Sequence, residues 1–197
     1  MEKYQMSKRG KLIFDQKIGG GYFRDCFSIK GHPDICIKVI NPRPGLIRKI
    51  QLKYFRKKIN LEEYETYKKL PDEIKRFFNP VHEARENFVV TSMPRDYDDT
   101  PSLSLKKHNG AANEKFWKEV DFLFQFLIEH EIWFFDVFNG NNMFVLKKSS
   151  SEWVPIIIDY KQLGWKAFPF QVHLILTSQK RKKLRRQYER LVMKYKK

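Results

Sequence analysis

At 197 residues, with 42% hydrophobic and 15% aromatic side chains, the chain has the material for one or two buried cores, which excludes a disordered chain. Two cysteines, Cys26 and Cys36, exclude a disulfide framework and cannot alone build a tetrahedral zinc site, so packed, reduced thiols are expected. A net charge of +16, concentrated in residues 178–197 where ten Lys or Arg face only Glu189, sets up a field that attracts phosphates, nucleic acid or anionic membrane surfaces.

In chain order, residues 1–12 are polar and charged, and no apolar run approaches the roughly 20 residues of a membrane span. The expectation is a cytoplasmic protein, neither secreted nor membrane-spanning. Residues 11–18, 22–30 and 35–40 read as strands, separated by the turns Gly19-Gly20-Gly21 and 31–34. The Pro- and Gly-rich stretch 41–45 breaks this meander. Residues 47–70 then carry helical spacing through Leu61, Tyr64 and Tyr67, with a stop at Leu70 before Pro71. Residues 82–85 and 87–93 read as a further hairpin, which predicts a sheet of five strands.

The polar segment 95–101 is the expected hinge, dividing an N-terminal lobe (1–94) from a C-terminal lobe (102–197). Asn113 is placed to cap a helix in which Phe116, Val120, Leu123, Phe124, Leu127 and Ile128 recur on one face. A tight loop at 139–142, a strand over 143–147, a turn at 149–152 and a strand over 153–158 ending at Asp159 follow. From about Ser178 a last helix sets Leu184, Tyr188, Leu191, Val192 and Tyr195 on one face, with its basic residues elsewhere.

Three groups of residues carry chemistry. Glycines at 19–21, followed by Tyr22, Phe23 and Arg24, can bring backbone amides close to a phosphate, although a plain hairpin turn has the same composition. Lys38 sits inside the apolar Cys36-Ile37-Lys38-Val39-Ile40, where an ammonium is costly unless it meets an anion or lies on an exposed edge. Asp136 stands among aromatics in Phe134-Phe135-Asp136-Val137-Phe138, with Asn141 five residues on and Asn142 beside it. Asp159 ends the apolar run Ile156-Ile157-Ile158.

In this order the motifs resemble those of the protein-kinase-like superfamily, whose glycine-rich loop precedes a strand lysine and whose catalytic Asp precedes an Asn and a strand-end Asp. Gly19 and Gly21 take the first two glycine places, Arg24 stands at the third, Phe134 and Phe135 replace His-Arg, and Tyr160 follows Asp159 without the motif glycine. Over nearly its whole length the chain is similar to the small bacterial PhoP regulatory network protein YrbL family, on the matching stretches 26–39, 61–70 and 132–159.

The resemblance implies an α+β, reduced kinase-like bilobal fold, with an N-terminal antiparallel sheet plus helix and a mostly helical C-terminal lobe. It also implies a nucleotide site more than a substrate, and the expected function is a Mg-ATP-dependent phosphotransferase acting on a hydroxyl of a small or anionic acceptor of sugar or lipopolysaccharide type. In that scheme Gly19, Gly21 and Lys38 hold the nucleotide, and Glu63 positions Lys38, with Glu62 and Glu65 as alternatives. Asp136 acts as base, and Asn141, or Asn142 in its place, binds magnesium with Asp159. Residues 165–177 leave no room for the long activation segment of protein kinases. Two other readings stand beside it: a pseudokinase that binds without turnover, and a module whose basic terminal helix meets RNA or an anionic membrane surface.

Overall fold

The structure, a computed structural model, describes residues 4–21, 23–41, 58–108, 112–162 and 176–196. The helical expectation over 47–57, the strand start at Tyr22 and the reading of 165–175 lie outside the described residues. The chain divides into two compact units, residues 1–69 with 80–93, and residues 70–79 with 94–197.

In the first unit, among the described residues, six strands form one antiparallel sheet in the order β1-β2-β3-β4-β6-β5. These are β1 (Tyr4–Ser7), β2 (Gly10–Gly20), β3 (Arg24–Ile29), β4 (His32–Ile40), β5 (Val81–Ala84) and β6 (Phe88–Ser92). The strand beyond the five expected is β1, which pairs with β2 from Tyr4 opposite Ile13 to Ser7 opposite Gly10. Its four residues, Tyr-Gln-Met-Ser, are too few and too mixed to form an apolar run, and an edge strand needs none to satisfy its ladder.

The β3–β4 turn closes through Gly31 at φ +77°, a backbone region that side-chain-bearing residues seldom adopt. Period-two alternation then sorts β4 onto two faces. Ile35 and Ile37 join Leu12, Ile29, Phe88 and Val90 in a closed apolar cluster, while Cys36 and Lys38 point the other way. On that second face lies α1 (Ile59–Lys68), whose buried residues are Ile59, Asn60, Glu63 and Thr66. This differs from the expected apolar stripe of Leu61, Tyr64 and Tyr67, all of which are only half-buried. The helix buries a largely polar face because β3 and β4 present charged groups to it.

In the second unit, α2 (Asp72–Lys75) precedes β7 (Leu103–Ser104), α3 (Glu114–Glu129), β8 (Phe134–Phe135), β9 (Met143–Lys147), β10 (Trp153–Ile157), β11 (Lys161–Gln162) and α4 (Thr177–Tyr195). The Asn113 side chain accepts a hydrogen bond from the Phe116 amide at 2.9 Å, which is the expected cap of α3. Phe116, Val120, Leu123 and Leu127 recur at three and four residues and are buried along its inner face. Each such side chain contributes roughly 1.5–3 kcal/mol by leaving water. The sheet β10-β9-β7 runs antiparallel, with Met143 opposite Ile157. Among the described residues no helix is long and apolar enough to cross a membrane.

Candidate functional site

In the first unit, Lys38 lies on an interior strand, flanked by Cys26 on β3 and Val89 on β6, and is only 8% exposed. Its ammonium donates to Glu63 Oε1 at 2.6 Å, and Glu63 is 2% exposed. Glu65 instead pairs loosely with Lys68 at the surface, at 3.8 Å. A second cation reaches the same carboxylate, since Arg24 Nη1 lies 2.5 Å from Glu63 Oε2. Arg24 Nη1 also donates to Asn60 Oδ1, whose Nδ2 donates to the Glu86 carbonyl. One carboxylate thus organises two buried cations, which fixes the Lys38 side chain in one place.

Arg24, at the position expected for a third loop glycine, therefore turns inward. Gly19 and Gly20 continue β2 opposite Cys26 and Asp25, and the Gly21 amide donates to the Arg24 carbonyl at 2.7 Å to close the turn. Behind Lys38 the two thiols sit side by side. Hydrogen bonds from Cys26 and Thr91 pull the Cys36 thiol below its usual range, helped by the Lys38 charge and opposed by burial.

In the second unit, Asp136 follows the buried Trp133 and Phe134 and precedes the buried Val137 and Phe138, while its own side chain is exposed. Its φ of +50° is rare for a residue with a side chain and is held by neighbours. Asn142 Nδ2 donates to the Asp136 carbonyl at 3.3 Å, and Gln187 Nε2 of α4 donates to Asp136 Oδ1 at 3.2 Å. The Asn139 side chain accepts from the Asn141 amide at 2.9 Å, a compact turn that starts the loop into β9. Asn142 is committed to Asp136, while Asn141 lines the adjacent cleft together with Asn139 and Gln187.

The β9–β10 register brings Asp159 to the same end of the sheet. Beyond the pair Met143–Ile157, the Ile158 amide donates to the Asn142 carbonyl at 3.0 Å, while Asn141 lies in the turn that the Asn142 and Met143 amides close on the Asn139 carbonyl. The half-exposed Asp159 is clamped on both sides. Ile157 exchanges backbone hydrogen bonds with Phe77 and Asn79, and the fully buried Tyr160 donates its hydroxyl to the Asn79 carbonyl at 3.1 Å. The Tyr160 ring meets Phe78 edge-on at 4.9 Å, and Phe134, at 5.2 Å from Phe78, completes the cluster.

Helix α4 docks beside the Asp136 loop. Leu184 and Leu191 are buried, and the Tyr188 ring stacks on Phe124 at 4.0 Å. Burial and the hydrogen bond it donates to Asp121 Oδ1 at 2.6 Å push the Tyr188 hydroxyl up to about 12. Gly140 makes the close approach possible, because a Cβ there would stand 2.7 Å from the Tyr195 ring. The sequence singled out the apolar stripe of this helix but missed Gln187, Arg24 and Asn60. For Gln187 the spacing of four residues from both Lys183 and Leu191 was the available signal.

The family model described as PhoP regulatory network protein YrbL matches residues 11–196. No curated protein sequence matches. Among solved structures, the Rio2 kinase from Chaetomium thermophilum superposes with a TM-score of 0.56 at 14% identity, covering 90% of this chain and 56% of that one. The same kinase in its ADP/Mg2+-phosphoaspartate complex gives 0.52 at 14% identity, covering 90% and 55%. The chain therefore spans little more than half the length of the kinase structures it resembles, and the likeness establishes a reduced kinase-like α+β fold.

Proposed function

Since the chain belongs to the PhoP regulatory network protein YrbL family and has a kinase-like fold, we propose that it is a Mg-ATP-dependent phosphotransferase acting on a hydroxyl of a small anionic acceptor. The observation that carries this reading is the buried Lys38–Glu63 pair at 2.6 Å. An ammonium held rigidly on an interior strand is costly for a fold that has no use for it. It is the cation this chain offers to the α- and β-phosphates of a nucleotide, with Gly19 and Gly21 leaving the neighbouring backbone open to close approach.

Asn141 and Asp159 are the oxygen donors that suit Mg2+. That ion takes one or two carboxylates and keeps waters and phosphate oxygens for the rest, so it needs no cluster of three acidic or sulfur ligands, and none occurs among the described residues. When bound, Mg2+ neutralises and orients the phosphates. Asp136 lies within reach of an acceptor in the adjacent cleft, and Gln187 orients its carboxylate. The acceptor oxygen bonds to the γ-phosphorus while the bond from that phosphorus to the β,γ-bridging oxygen breaks. ADP leaves with that electron pair, and Asp136 takes the hydroxyl proton. Catalysis in this scheme is positioning and charge neutralisation.

A pseudokinase is the second reading, favoured by Arg24, which shares Glu63 with Lys38. ADP release with MgATP and a panel of phosphorylated sugars separates the two. The active reading predicts release that falls at least a hundredfold in Asp136→Asn with nucleotide affinity retained. Binding of MgATP with no release above the Asp136→Asn background, for any acceptor, overturns it in favour of the pseudokinase.

A further inference from the structure

Beside Asp136 the loop and α4 enclose a cleft of about 360 Å3, at the small end of the roughly 300–1,000 Å3 of small-molecule sites. Lys183, Arg186, Arg190 and Lys194 reach it from α4 at spacings of three and four residues, one face of a helix, and Lys106 reaches it from the other wall. Five cations thus surround one carboxylate, that of Asp136. Lys106, Arg186, Arg190 and Lys194 form no ion pair with any described residue. By contrast, Arg181, which points to another surface of α4, pairs with Glu131. Burial among these neighbours lowers the Lys183 ammonium, with Asp136 opposing the shift.

A second observation concerns Gln187. Its Nε2 holds Asp136, while its Oε1 is buried and meets no hydrogen-bond donor among the described residues. A buried acceptor without a donor is costly, so this side chain is kept in place for the bond that its Nε2 makes to Asp136.

We propose that this cleft is an acceptor subsite for a small polyol bearing two or more phosphates, which Arg186, Arg190 and Lys183 bind with a hydroxyl presented to the Asp136 carboxylate that Gln187 Nε2 orients. The designation as acceptor rests on the phosphotransferase reading; the anion site itself does not. The small volume and the single carboxylate among five cations fit a phosphorylated polyol better than a nucleic-acid strand, which needs an extended groove with stacking surfaces.

The test is calorimetric titration of the full chain with inositol hexakisphosphate and with fructose 1,6-bisphosphate. The same titrations are run on Arg186→Gln/Arg190→Gln and on the control Lys182→Gln/Arg185→Gln, whose positions face the other surface. All four positions are exposed, so folding is preserved in both variants. The expected result is binding that weakens tenfold or more in the first variant and less than threefold in the control. MgATP affinity, measured on the same samples, stays unchanged. Absence of binding to either probe, an equal loss in the control, or displacement of both probes by a twelve-nucleotide uridine RNA at lower concentration overturns the proposal. Probe binding without MgATP binding supports the anion site and overturns its role as acceptor, whereas MgATP binding without probe binding overturns the subsite alone.

Discussion

Replacing Glu63 by Gln keeps the shape of the side chain and removes the charge that organises two buried cations. Arg24 and Lys38 lie 2.5 and 2.6 Å from its two oxygens and are 7% and 8% exposed, so neither can turn to water without moving its strand. Removing one partner of a buried ion pair costs ~3–5 kcal/mol, because the charge left behind stays desolvated. In a chain of this size that corresponds to a fall in melting temperature of about 6–20 °C. Lys38→Met is the informative contrast. It leaves Glu63 paired with Arg24 and fills the lysine stem with an unbranched apolar chain, so it costs only the charge-assisted contact, roughly 1.5–3 kcal/mol. Urea unfolding followed by circular dichroism gives both values. A Glu63→Gln cost below about 1 kcal/mol, or one no larger than that of Lys38→Met, would refute the claim that this carboxylate holds the pair together.

Gly140→Ala should cost about 1–3 kcal/mol by overpacking against Tyr195, and Gly140→Ala/Tyr195→Ala should recover part of the loss; an additive double variant contradicts the contact. Because the Tyr188 hydroxyl is raised from 10.0 to about 12, the folded state favours its neutral form. Its contribution is present below pH 10 and lost as pH rises towards 12, so the alkaline fall in urea midpoint should be shallower in Tyr188→Phe. His82, lowered by burial and by the Arg9 charge, favours the neutral ring in the folded state. Its contribution is present above the ordinary value of 6.5 and lost as pH falls through it, and His82→Gln should flatten the unfolding midpoint between pH 7 and 5.

Elements whose logic is local were legible in the sequence. Asn113 and the apolar face from Phe116 to Leu127 specify α3 by cap and period alone, and β9 and β10 follow from two apolar runs around a serine turn. Lys38 stood out because a lysine within a buried run demands a partner, and that partner was expected on the next helix. Long-range consequences were not legible. That Arg24 turns inward depends on Asn60 and Glu63, more than thirty residues away. The polar buried face of α1 follows from the charges it meets, so the apolar stripe Leu61, Tyr64 and Tyr67 misled. The strand β1, four residues of mixed polarity at an edge, offered no apolar run to read. The docking of Gln187 on Asp136 spans 51 residues and depends on a glycine being small at 140.

Calorimetric titration of the protein with ATP, in the presence and absence of Mg2+, tests the central claim most directly. The account predicts binding that requires Mg2+ and disappears in both Lys38→Met and Asp159→Ala, with folding of each variant confirmed by circular dichroism. Absence of ATP binding by the intact protein, or binding unaffected by both substitutions, would contradict it.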